Sequence, residues 1–345
     1  MKKLISLALA LVMILSLATV AFADDDETPE VPDEPNNGIT LTKAFTNTNS
    51  NFGGKLPDSK FYFTTTFRSY TDEEGVTSVT MTNPPALTVG TPETVGSETK
   101  YYVAYNNSAA TPNTVASATI DIPVSFDLDE FSVGTYEYVI TETNSNVAGI
   151  TYDSAAMTLT MQVFSDSEGN KTCNITTKQG TEKDTEFTNS YAAGKLQVKK
   201  VLAGNSVDPT KKFVFTVTFA STKTFNPAID AAVSTGVTPG SWDETRLVYT
   251  VSLGHNDTVT FSNIPAGVTY TVAESEVQGY TAKYEYSNSG KAITGGTQDT
   301  VTVTNTNNKT INTGVILESA PYILLLALAA AGMFLLLTKK RSREY

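Results

Sequence analysis

Between residues 38 and 308 the chain is written in period two. Segments such as YEYVIT (residues 136–141) and FVFTVTF (213–219) place an apolar residue at every second position, and turn signals such as LPDS, DEEG and DSEGN separate them. Helical periodicity is missing from this region, and Thr, Asn, Ser, Val and Tyr are abundant, a composition that suits strands. The alternation predicts an all-β protein. In the strand YEYVITET the rule then does something costly: Tyr136, Tyr138 and Ile140 share the inward face, and the next residue on that face is Glu142.

The ends of the chain carry processing signals. Lys2 and Lys3 precede an apolar run from Leu4 to Val20 and the small-residue site Ala21-Phe22-Ala23, which predicts a secretory signal peptide over residues 1–23. Residues 24–37 (DDDETPEVPDEPNN) are acidic and Pro-rich with no apolar pattern, as in a disordered linker. At the other end, Tyr322 to Thr338 is apolar and is followed by KKRSR, predicting a C-terminal membrane helix with a cytoplasmic basic tail. The body of the protein is therefore expected outside the cell. A glycolipid-anchor signal would end apolar, and this chain ends KKRSREY.

Between these ends the strands divide at Ala193-Gly194 into two predicted β-sandwiches, residues 38–192 and 193–308, and the spacing suggests immunoglobulin-like, Greek-key connections. The halves read as repeats. Each opens on a strand ending in lysine (ITLTK to Lys43, LQVKK to Lys200) and follows with an aromatic strand (KFYFTTTF, KKFVFTVTF). Each has a late strand ending in glutamate (YVITE to Glu142, YTVAE to Glu274) and closes on asparagine (FTN at Asn189, VTN at Asn305). Alternation turns all six polar residues inward and turns Lys199 outward. One spacing differs: Gly267 lies one residue closer to Glu274 than Gly134 does to Glu142.

An unpaired ion in an apolar core costs several kcal/mol or shifts its pKa until it is neutral. A desolvated lysine becomes an amine nucleophile, and a desolvated glutamate a protonated acid that can donate a hydrogen bond to an amide oxygen. Beside an asparagine, that pair is equipped to form a Lys–Asn amide and release ammonia, with the glutamate moving the proton. The product buries no charge. It would also supply the covalent staple that a single cysteine, Cys173, cannot. Two plainer readings stay open: strand-end side chains that twist out to solvent, and a structural Lys–Glu ion pair beside a hydrogen-bonded Asn.

The lysine strand, the YxIxE-type strand and the terminal FTN strand resemble the isopeptide-linkage domains of Gram-positive pilins, which are related to collagen-adhesin B-type domains. The resemblance is to two-domain backbone pilins and spans nearly all of the ectodomain. It implies that Lys43 bonds Asn189 with Glu142 assisting, and that Lys200 bonds Asn305 with Glu274 assisting. The tail, residues 309–345, resembles a sortase sorting signal. In TINTGV (310–315) the enzyme would cut between Thr313 and Gly314, although Ile311-Asn312 stand where the commonest pattern has Leu-Pro. In such pilins the lysine that receives the next subunit's threonine lies shortly before the first terminal Asn, which points to Lys183 or Lys178. The implied partners are a sortase, neighbouring pilin subunits and cell-wall peptidoglycan. The alternative is a monomeric, wall-anchored adhesin or stalk that binds a host ligand.

Other chemistries lack their residues. The net charge is −12 and no basic stripe is present, which argues against nucleic acid. His255, expected in a surface turn, is the only histidine, so a Ser-His-Asp triad or a multi-His metal site is not expected, and no phosphate loop or cofactor fingerprint follows any strand. The predicted chemistry is single-turnover and intramolecular, not that of an enzyme.

Overall fold

The computed structural model describes residues 38–49, 55–106, 116–225, 230–232, 237–243, 245–308, 322, 324–331 and 333. The predicted signal peptide, the acidic linker, Thr313 and Gly314 lie outside the described residues. Residues 324–331 are helical, and among the described residues no helix is long and apolar enough to cross a membrane. The predicted span from Tyr322 to Thr338 runs beyond them.

Among the described residues the strands form four sheets in two sets. In the first set a five-stranded sheet has Gly38–Asn47 between Ser117–Ser125, which is antiparallel to it, and Glu186–Tyr191, which is parallel. Its partner is an eight-stranded sheet in which the aromatic strand Ser59–Thr71 pairs with the glutamate strand Gly134–Thr143. The second set repeats this plan. Ala193–Ala203 lies between antiparallel Thr258–Pro265 and parallel Gln298–Thr306, while Phe213–Ala220 pairs with Thr269–Glu274 in a four-stranded sheet.

Alternation explains why the sheets have an inside. Gly134–Thr143 buries Tyr136, Tyr138 and Ile140, and Phe213–Ala220 buries Phe213, Phe215, Val217 and Phe219. Burying four such side chains at roughly 2 kcal/mol each is a large share of one domain's net stability. Each set has its own apolar core, with Phe45, Phe61 and Phe187 central to the first and Leu196, Phe215 and Phe261 to the second. Cys173 is buried in the first core opposite Val163. The predicted DEEG and DSEGN turns form around their aspartates: Asp72 Oδ1 accepts the N–H groups of Glu74 and Val76, and Asp166 Oδ1 those of Glu168 and Asn170.

The two sets meet closely. One residue, Ala192, separates the strand ending at Tyr191 from the strand starting at Ala193. Ala148, on the loop after the glutamate strand, donates its N–H to Thr224 O of the second set at 2.8 Å and packs in the second core. The Lys55 N–H donates to Asn263 Oδ1 at 3.0 Å across the same junction.

Candidate functional site

Parallel pairing of the first and last strands creates the site. Lys43 is in register with Phe187, so Asn189 sits two residues further along on the same face. In the second set Lys200 is in register with Val303, and Asn305 again sits two residues further along. The glutamates arrive from the opposing sheet at equivalent places, Glu142 beside Phe63 and Glu274 beside Phe215. The repeat seen as a residue order is thus also a repeat in register.

In the first site Lys43 Nζ lies 2.7 Å from Glu142 Oε2, and Asn189 Nδ2 donates to Glu142 Oε1 at 2.6 Å. The lysine and asparagine are fully buried, and the glutamate side chain has no exposure. In the second site Lys200 Nζ lies 3.0 Å from Glu274 Oε2, and Asn305 Nδ2 donates to Glu274 Oε1. One carboxylate therefore bridges amine and amide in each set. Aromatic rings close the surroundings, with Lys43 Nζ 5.2 Å from the centroid of Phe61 and Lys200 Nζ 4.3 Å from that of Phe213.

Burial sets the electrostatics. Desolvation pushes Lys43 below the ordinary lysine range against the opposing pull of Glu142, and it pushes Glu142 above the ordinary carboxylate range. Lys200 is lowered by desolvation in the same way. Both shifts in the first pair favour neutral partners, an amine beside a carboxylic acid. A fixed ion pair would instead carry the desolvation penalty with no further hydrogen bonds to the ammonium among those the structure shows.

One detail differs from the expected chemistry. The glutamate was expected to address the amide oxygen of Asn, whereas in both sites it accepts from the amide nitrogen. The physical reason in the first site is that the oxygen is already engaged: Asn189 Oδ1 accepts the Asp153 N–H at 2.7 Å. Sequence reasoning passed over Asp153 because its contribution is a main-chain N–H, which no residue type signals.

The remaining residues singled out in the sequence fall elsewhere. Lys178 and Lys183 are direct register partners on an exposed two-strand edge, Lys171–Gln179 with Glu182–Lys183. Lys199 faces away from the second core, as alternation predicts. Gly134 begins its strand at φ +141°, while Gly267 lies in the turn before its strand at φ +86°, which accounts for the unequal spacing. His255 occupies an exposed turn, and its Nδ1 accepts the Leu202 N–H at 3.0 Å, a structural role the sequence did not signal.

Residues 39–192 match the family model described as FctA, a Spy0128-like isopeptide containing domain, and residues 194–307 match a domain of unknown function, DUF7601. A pilin of Streptococcus pyogenes serotype M1 is 26% identical over 328 residues, covering 88% of this chain and 91% of the relative. The solved major pilin from Streptococcus pyogenes aligns at 22% identity with a TM-score of 0.51, over 79% of this chain and 99% of that one. The T3.2 major pilin of the same species aligns at 21% identity with a TM-score of 0.50, over 79% and 98%. At these identities the solved structures speak to the fold.

Proposed function

We infer that the chain is a Gram-positive backbone pilin with a Spy0128-like isopeptide domain over residues 39–192, and that its function is structural, as the repeating subunit of a covalent pilus. The observation that carries this reading is the twofold Lys–Glu–Asn constellation, buried at the same register offset in both sets of strands. Each set folds as an immunoglobulin-like sandwich, closed between its first and last strands by a self-formed amide.

The reaction follows from the geometry. Proton transfer from Lys43 to Glu142 yields the amine and the acid. The amine attacks Cγ of Asn189, Glu142 delivers its proton to Nδ2 and takes one from Nζ, and the C–Nδ2 bond breaks to release ammonia. Lys200, Glu274 and Asn305 repeat the sequence. Each site turns over once, so the protein is a substrate of its own fold and not an enzyme.

Assembly uses the tail. A sortase cleaves between Thr313 and Gly314, and an exposed lysine of the next subunit, Lys183 or its register partner Lys178, attacks the acyl-threonine. The chain is secreted, and the terminal subunit is attached to peptidoglycan. Wall extracts of the producing bacterium should contain a ladder of SDS-resistant species reactive with antibody to this chain. Substituting Lys183 and Lys178 together by Ala should abolish the ladder, and a single band in the unaltered strain would sink the polymer reading.

A monomeric anchored adhesin is the second reading, and one observation favours it. A groove on the first set is lined by Tyr62, Phe67, Pro84, Pro85, Lys100 and Tyr101, the mix of rings and polar tips that host-ligand sites use. That reading predicts the single band.

A further inference from the structure

The two sites share a carboxylate bridge but differ at the atom where negative charge would develop. Asn189 Oδ1 accepts the Asp153 N–H at 2.7 Å. Asn305 Oδ1 is buried and has no hydrogen-bond partner among the described residues. The Asp153 N–H is held in place by its own side chain: Asp153 Oδ1 accepts the Ala155 N–H at 2.8 Å, and Oδ2 accepts the Thr188 N–H at 2.9 Å. Thr188 is the residue before Asn189, so the clamp ties the donor to the strand that carries the reacting amide. In the second set the equivalent neighbour is a regular strand, Thr281–Tyr286, with Ala282 opposite Asn305.

We propose that the Asp153 main-chain N–H is a one-donor oxyanion hole for the first amide, that the Asp153 carboxylate is its positioning group, and that the second site closes more slowly for want of an equivalent. This rests on the amide-forming reading given above. When Nζ of Lys43 attacks Cγ of Asn189, the new C–N bond forms as the C=O π pair moves onto Oδ1. A donor already aimed at that oxygen stabilises the tetrahedral species without reorganisation. The pair returns to C=O as the C–Nδ2 bond breaks. Glu142 supplies the proton that leaves with ammonia and takes up the one lost from Nζ. Asp153 exchanges no proton. With the oxygen held from one side and the nitrogen from the other, the Asn189 carboxamide is also fixed against rotation.

The test follows both amides in one full-length chain made by cell-free translation, quenched at intervals, with ammonia loss read by intact mass and assigned by peptide mapping. The Lys43–Asn189 amide is expected to close before the Lys200–Asn305 amide. Incorporating the α-hydroxy acid of aspartate at 153 replaces that N–H by an ester oxygen. It should slow the first closure about a hundredfold and leave the second, the internal clock, unchanged. Asp153→Ala loses the clamp but keeps the N–H, and should slow the first closure by less, while Asp153→Asn keeps one of the two acceptors and should fall between Asp153→Ala and the unaltered chain. A purely structural role would not separate the two closure rates within one folded chain. Equal closure rates in the unaltered chain, an unslowed ester variant, or Asp153→Ala matching Asp153→Asn at the wild-type rate would overturn the proposal. Absence of ammonia loss from both sites would instead remove the amide chemistry itself, and the oxyanion hole with it.

Discussion

Lys43 Nζ lies 2.7 Å from Glu142 Oε2, on opposite sheets, with neither side chain exposed. In an ordinary core such a contact is a weak source of stability, because desolvating two charges offsets most of their attraction. Here the same carboxylate also holds Asn189 Nδ2. The arrangement makes better physical sense as the ground state of a reaction than as its own end point, because the product amide removes both charges from the core.

Glu142→Ala separates these views. The variant is expected to fold, to keep the mass of one additional ammonia, and to retain the second amide. It leaves Lys43 buried without its carboxylate, so the first set should lose about 3–5 kcal/mol beyond the lost cross-link. Intact mass and thermal unfolding read both effects. An unchanged mass would remove Glu142 from the chemistry.

The cross-links themselves should be costly to lose. Each closes a long loop, from residue 43 to 189 and from 200 to 305, and chain entropy for a loop of roughly 100 residues corresponds to about 4.7 kcal/mol. Asn189→Ala and Asn305→Ala should each approach that loss in denaturant unfolding of the mature chain. The two losses should be additive, because the sites lie in separate cores. Losses below about 1 kcal/mol would mean that the amides are absent or that the unfolded chain is already compact.

Much of this site was legible from side-chain alternation. Glu142 announced itself because it continued the inward face of Tyr136, Tyr138 and Ile140, and Lys43 and Asn189 because the same order recurs at Lys200 and Asn305. Three things were not legible. The parallel pairing that sets Asn189 two residues beyond the partner of Lys43 is a long-range register, which period two does not encode. The strand Ser59–Thr71 outruns its apolar signal, passing through a register shift between Phe67 and Ser69. Asp153 acts through its backbone, and its side chain serves only to aim it.

The pH dependence of the first closure should be a bell narrower than ordinary side chains would produce. Reaction needs one proton shared by the Lys43–Glu142 pair. Below the acid limb the pair holds two protons and the amine stays an ammonium; above the basic limb it holds none, and the departing nitrogen lacks a donor. Burial raises Glu142 above its ordinary 4.5, so the acid limb lies above pH 4.5. Burial lowers Lys43 below its ordinary 10.5, so the basic limb lies below pH 10.5. Both limbs belong to the pair and not to either residue alone. Rates of ammonia loss across this range check the shape. A rate that climbs steadily to pH 10.5 would show that amine deprotonation alone limits closure.

The junction offers a test of how the two sets are joined. Gly149 stands between Ala148, packed in the second core, and Ile150, packed in the first, with its carbonyl accepting the Ala192 N–H at 2.9 Å. Its φ is +78°, and a Cβ there would meet Ala192 O at 2.8 Å, the Tyr191 ring at 2.8 Å and Pro265 Cβ at 3.0 Å. Gly149→Ala therefore combines backbone strain with a clash against both sets, about 1–3 kcal/mol for each effect. Gly75→Ala isolates the first, since Gly75 has φ +81° and nothing within 4 Å of the added carbon. Gly75→Ala should cost about 1 kcal/mol. Gly149→Ala should cost clearly more and should split a shared calorimetric transition into two, because it disrupts one of the contacts through which each set senses the other. Equal losses from the two variants would mean that the junction gives way freely and that the sets are coupled only through the covalent chain.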